Sequence, residues 1–209
     1  MTDLFPLIAE ERLRVADFLD TLTDEQWCTQ SCCGEWTNEL VVAHMLVGPV
    51  LGLRGSMPAM LKARFNLARA NDINAHELAK MGRDAMVAAL REHAEHRFTP
   101  PGFGPEAPLT DIIIHGQDIS RPLGVELDVP TSRWTYALKT AVSPRFGPIS
   151  ARKHLPGLRF EATDLDFTHG TGPSVTGPAR DLAHAMWGRV SAVNALTGDG
   201  VATLRTNLS

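Results

Sequence analysis

From Asp3 to Leu22 the apolar residues Leu4, Ile8, Val15, Phe18, Leu19 and Leu22 recur at helical spacing, while Glu10, Glu11, Arg12 and Arg14 take the other positions. This predicts an amphipathic helix. Thr23, with Gln26 three residues on, forms a capping-box pattern for a short helical turn before the loop "CTQSCCGEW". Thr37 is a good N-cap for a second helix, with Asn38 and Glu39 in its first turn and Leu40, His44, Val47 and Leu51 on one face. Pro49 should interrupt that helix after about three turns, because its ring clashes with the preceding turn. A third helix is expected over Ala59 to Ala70, and "NAHE" at Asn74 to Glu77 reads as the start of another that runs to about His96. After "TPPGFGPEAP", Pro108 suits the first turn of a helix that "RPLG" at Arg121 to Gly124 stops.

Beyond Val125 the pattern changes. "SRWTYALKTAV" is one more helix, "SPRFGPISARKHLPG" is rich in turn formers, and "LRFEATDLDFTHG" alternates as a strand or hairpin arm does. "GPARDLAHAMWGRVSAVNALTGDG" reads as a helix with Leu182, Met186, Val190 and Val193 on one face, closed by Gly198. The layout is mainly α: a helix bundle over residues 1–143, then a small α/β module over 144–209.

Polar residues break the apolar pattern in one place. In "PLTDIIIHGQDISRPLG", Asp111, His115 and Asp118 fall within roughly 60° of one another on a helix, and the isoleucines point elsewhere. Gly116 gives up helix propensity beside His115, which is tolerable where another element approaches closely. A carboxylate four residues before a histidine can place two ligands on one divalent metal. His44, which interrupts the apolar face of the second helix, is the natural third. Each residue also has an ordinary reading: His44 as a hydrogen-bonded core histidine, Asp111 as a carboxylate answering the helix dipole, and Asp118 as a partner of Arg121.

A chain of 209 residues allows one good-sized core, or a main domain with a small appendage. With 44% hydrophobic and 21% charged residues it has the composition of a folded soluble protein and not of a disordered one. The formal charge of -4 and the absence of a basic, aromatic-interleaved stretch argue against nucleic acid as a partner. The N-terminus does not resemble a signal peptide and the pattern shows no apolar run of about 20 residues, so the expectation is a cytoplasmic protein with no membrane partner. Cys28, Cys32 and Cys33 are an odd, clustered set that reads as reduced thiols near a helix end, since a metal site there would need a ligand that the local sequence does not supply. His76, His93, His96, His154, His169 and His184 have no spacing that suggests a second site and read as surface or local structural residues.

Taken together, "CCGEWTNELVVAHML", "DIIIHGQDISRPLG" and "EATDLDFTHGTGPSVTGPARDLAHAMWGRVSAVNALTGDG" resemble the mycothiol-dependent maleylpyruvate isomerase family, part of the DinB-like superfamily of metal-binding four-helix bundles. The similarity runs over essentially the whole chain. It implies an up-down four-helix bundle followed by a small sterol-carrier-like α/β module. It also implies a divalent metal, zinc first and nickel or iron as alternatives, held by His44, Asp111 and His115. The family pattern has glutamate where this chain has Asp111, and a side chain shorter by one methylene holds a metal more loosely or selects a different one. By the same resemblance Asp118 orients a ligand from behind, and Arg189 in "MWGRV" binds an acidic substrate or the thiol cofactor. A salt bridge at the domain junction is the alternative for Arg189.

Three protein ligands leave a coordination position open. The leading expectation is an enzyme in which the metal activates a low-molecular-weight thiol, mycothiol by resemblance, for S-transfer to, or isomerisation of, a small electrophile. Catalysis would then involve Asp118 and Arg189, with the chain a monomer or homodimer. Two alternatives remain: a hydrolase using a metal-bound water, and a non-catalytic metal-binding or stress-response module whose metal is saturated by a fourth protein ligand, Asp118 being the one to watch.

Overall fold

The computed structural model describes residues 3–146 and 154–208. The chain is mainly α and divides into two compact units, Met1–Leu127 and Asp128–Ser209. In the first, α1 (Phe5–Leu19) packs on α6 (Arg83–Glu92) and α7 (Glu106–Ser120), while α3 (Asn38–Met45) packs on α5 (Leu67–Ala79) and α7. These long elements form the bundle. The short α2 (Asp24–Trp27) carries the expected capping box, with Thr23 Oγ1 accepting from the Gln26 N–H and Gln26 Oε1 accepting from the Thr23 N–H. Thr37 stands at the N-cap of α3 but makes no side-chain cap bond.

The middle of the bundle departs from the expected helix boundaries. After Met45 the chain passes through a wider π-type turn, Val47–Leu51, that accommodates Pro49, and continues as α4 (Gly52–Lys62). Asn74 to Glu77 does not open a helix: it lies inside α5, whose N-cap is Asn66, with Oδ1 accepting from the Arg69 N–H at 3.0 Å. The run Asn38–Lys62 is also long and apolar enough, by length and composition alone, to cross a membrane. Reading it as broken at Pro49 concealed that. Its α3 half is core, with Val41, Val42, Ala43 and Leu46 all fully buried.

The face of α1 is wider than its apolar pattern indicates. Glu11 and Arg12, read as outward positions, are 1% and 4% exposed. Arg12 Nη1 donates to the carbonyls of His93, Ala94 and His96 at 3.0, 2.9 and 2.9 Å, fastening the chain after α6 to α1. Gly116 on α7 is a close-approach glycine, since a Cβ there would lie 2.6 Å from Leu127 Cδ2 and 3.3 Å from Val15 Cγ2. Relieving that overlap costs about 1–3 kcal/mol, and alanine's higher helix propensity returns about 1 kcal/mol. Gly116→Ala is therefore expected to destabilise the first unit by about 1 kcal/mol in urea unfolding.

In the second unit β1 (Arg159–Ala162) lies between β2 (Thr168–Gly170) and β3 (Ser174–Gly177). It pairs antiparallel with β2, as the hairpin reading expects, and parallel with β3, Phe160 standing opposite His169 and Val175. Phe160 and Val175 are fully buried and pack toward α9 (Ala179–Met186), whose first N–H is capped by Asp164 at 2.7 Å. The long C-terminal helix read through to Gly198 is broken after Trp187, because Gly188 takes a left-handed φ of +94°. A further helix, α10 (Val201–Leu208), follows.

The helix α8 (Thr131–Val142) belongs to this unit, whereas the boundary drawn at 143/144 assigned it to the bundle. It packs along α9, and Trp187 Nε1 donates to the Ala137 carbonyl at 3.0 Å. Part of the turn-rich stretch, residues 147–153, lies outside the described residues.

Candidate metal centre

The three polar residues of α7 stand together on one side of the helix, and His115 is their centre. Its Nδ1 is 2.9 Å from Oδ2 of the fully buried Asp118, and its Nε2 is 3.5 Å from Asp111 Oδ1. His44 comes from α3 and places its Nε2 3.6 Å from the same Asp111 oxygen. The two imidazoles meet edge to face, with centroids 4.9 Å apart. So the sequence-predicted ligands His44, Asp111 and His115 do converge, each offering one ligand atom within 4.8 Å of the others.

The spacing is informative. Separations of 3.5–3.6 Å are long for hydrogen bonds, but they are near the roughly 3.3 Å between two ligand atoms bound about 2.0–2.1 Å from one tetrahedral zinc. His44 Nδ1 is buried with no hydrogen-bond partner among the described residues, so the polar interactions of that ring must come through Nε2, the nitrogen facing Asp111. Two imidazoles and a carboxylate are a donor set suited to zinc. The residues fit a divalent metal. The Asp111 side chain is 44% exposed, which keeps one side of the cluster open to solvent.

Electrostatics tie the cluster together. Burial pushes the Asp111 carboxyl up, but the charge of His115 and the approach of the His115 and His44 ring nitrogens outweigh it and hold the group well below the usual carboxylate range. Burial pushes His115 down, but the nearby Asp111 charge, the hydrogen bond with Asp118 and the approach of Cys33 raise it well above 6.5. Arg12 is lowered by its burial, an effect that the Asp111 charge partly offsets.

The loop before α3 completes the site. Gly34, at φ +56°, lets the chain turn so that the Trp36 N–H reaches the Cys33 carbonyl at 3.1 Å, and Ser31 Oγ donates to the Trp36 carbonyl at 2.7 Å. The Cys32 N–H donates to the Asp118 carbonyl at 2.9 Å, joining the loop to α7. Trp36 packs against the His44 ring at 5.2 Å and is anchored by donating from Nε1 to Asp72 Oδ1 at 3.0 Å. Cys33 is brought to His115 and Asp118, forming a second group of three metal-capable side chains. The sequence reading asked for a ligand nearby in sequence and missed that α7 supplies two from a distance. The three cysteines are free thiols.

Asp118 does not line the open side: it approaches His115 from the opposite ring nitrogen to the one facing Asp111. Arg189 lies in the second unit, half-buried, and donates from Nη1 to the Trp187 carbonyl at 2.7 Å. Of the histidines set aside, His184 is fully buried and His76 approaches the Asp72 carbonyl at 2.9 Å.

Residues 8–99, which include His44 and the Cys33–Trp36 turn, match the family model described as the mycothiol maleylpyruvate isomerase N-terminal domain. That stretch of the chain is similar to this domain. Two solved structures share the fold over nearly its full length: a mycothiol-dependent maleylpyruvate isomerase, at 16% identity, and a histidine-to-alanine mutant of that enzyme, at 15%. Each superposes with a TM-score of 0.57, covering 95% of this chain and 96% of the other. No curated protein matches the chain. The shared fold accords with the mainly α architecture, and α7, beyond the matched residues, supplies the rest of the cluster.

Proposed function

We propose that this protein is a member of that family and a divalent-metal-dependent enzyme that uses a low-molecular-weight thiol, mycothiol by family resemblance, for S-transfer to, or isomerisation of, a small electrophile. The observation that carries this reading is the convergence of His44 Nε2 and His115 Nε2 on one Asp111 oxygen at 3.6 and 3.5 Å, with Asp111 part-exposed. His44, Asp111 and His115 would hold the metal, zinc first and nickel or iron as alternatives. When bound, the metal would supply a Lewis acid that stabilises a thiolate at neutral pH.

The remaining work falls to the chain. Asp118 is a positioning residue: by accepting from His115 Nδ1 it fixes which ring nitrogen faces Asp111. Trp36 covers one face of the His44 ring and limits its rotation. Arg189 is proposed to bind an acidic group on the substrate or the thiol.

This reading is favoured over a closed, non-catalytic metal module because Asp118, the residue expected to saturate the metal in that case, is engaged with the far nitrogen of His115. Calorimetric titration of metal-loaded protein with mycothiol, followed by a screen of electrophiles for S-transfer and isomerisation, tests the proposal. Neither binding nor turnover would sink it, and turnover of simple esters or amides without thiol would favour the hydrolase. Asp118→Asn is expected to lower metal affinity about 10–100-fold, measured by competition with a chromophoric chelator, while the chain remains folded.

A further inference from the structure

Six of the ten exposed large hydrophobic residues among the described residues fall in one stretch: Val50, Leu53, Met57, Leu61, Phe65 and Leu67. Leu53, Met57 and Leu61 follow one another at four-residue intervals, a stripe about 80° wide along α4. Phe65, 72% exposed, stands in the turn after α4 with φ +62°, next to Arg64 at φ +53°. Two consecutive non-glycine residues in the left-handed region are unfavourable for ordinary side chains, and here they leave an aromatic ring facing water.

The charges around this stripe have one sign. Arg54, Lys62, Arg64 and Arg69 are all exposed, and no aspartate or glutamate occurs between Glu39 and Asp72, in a chain whose formal charge is -4. Among the described residues none of these four cations makes an ion pair. A solvated helix face does not need the apolar stripe, and nucleic acid would gain nothing from it. Pairing with a second copy through this face would set four cations against four with no carboxylate between them. An anionic lipid surface meets both features, since the apolar side chains enter the acyl boundary and the cations stay at the headgroups.

We propose that α4 and the turn that follows it, residues 50–69, form a docking face for an anionic membrane surface, on which the protein sits peripherally. This replaces the expectation that no membrane is involved. It does not make Asn38–Lys62 a membrane-crossing segment, because α3 supplies core side chains and His44.

Flotation of the full chain with phosphatidylglycerol–phosphatidylcholine vesicles, against vesicles of phosphatidylcholine alone, tests the proposal. Binding is expected only to the anionic vesicles and should weaken as salt is raised. Arg54→Gln combined with Lys62→Gln should lower the partition coefficient about fivefold per cation removed. Leu61→Gln combined with Phe65→Asn should abolish flotation while the circular dichroism spectrum is kept, since both positions are exposed and asparagine tolerates the left-handed backbone.

Absence of flotation at low salt, or flotation that neither variant weakens, overturns the proposal. So does a wild-type dimer in sedimentation that the Leu61/Phe65 variant dissociates, which would make the face a self-contact. Metal content, measured on the same samples, reports on the His44–Asp111–His115 site separately.

Discussion

Purified without a metal-affinity tag, the wild-type chain is expected to carry about one divalent ion per molecule, and His115→Ala close to none. The expectation rests on geometry more than on residue type. His115 offers Nε2 to the cluster and Nδ1 to Asp118, so its removal takes away one ligand and leaves the fully buried Asp118 without its ring partner. Loss of a residue that only orients a ligand costs about 10–100-fold in metal affinity, so loss of the proposed ligand His115 should exceed about a hundredfold. Elemental analysis gives the stoichiometry, and chelator competition gives the affinity. A wild-type protein that neither contains metal nor takes up zinc, nickel or iron would remove the basis of the proposed chemistry, and would point to the short Asp111 side chain as the reason.

Arg12→Met is expected to destabilise the first unit by about 1.5–3 kcal/mol, the range for losing hydrogen bonds made by a charged group. Methionine fills most of the volume but donates nothing, and three carbonyls, those of His93, Ala94 and His96, lose their donor together. Two of those contacts are only part-buried, so water can recover some of the loss, which favours the lower half of the range. Urea unfolding followed by circular dichroism measures the change. A shift below about 0.5 kcal/mol would mean that the connection after α6 is held by its other contacts and that Arg12 is incidental to it. Because the Asp111 charge also acts on Arg12, metal affinity should be measured in the same variant.

The sequence by itself determined the mainly α class, the polar stripe of α7 and the break that His44 makes in the apolar face of its helix. Each depends on helical periodicity, which is a local property: once residues 106–120 form a helix, Asp111, His115 and Asp118 must share a side. The Thr23–Gln26 capping box and the β1–β2 hairpin were legible for the same reason. What only the tertiary structure decided are the contacts between segments far apart in sequence. Arg12 looks like a solvent-facing residue until the carbonyls after α6 arrive beside it. Cys33 looks like an idle thiol until α7 brings His115 and Asp118 to it. The parallel pairing of β3 with β1 and the packing of α8 on α9 likewise depend on which surfaces meet, and periodicity carries no information about that. The exposed face of α4 is the converse case: apolar residues at four-residue spacing look the same in sequence whether covered or not, and only the fold shows that nothing in the first unit covers them.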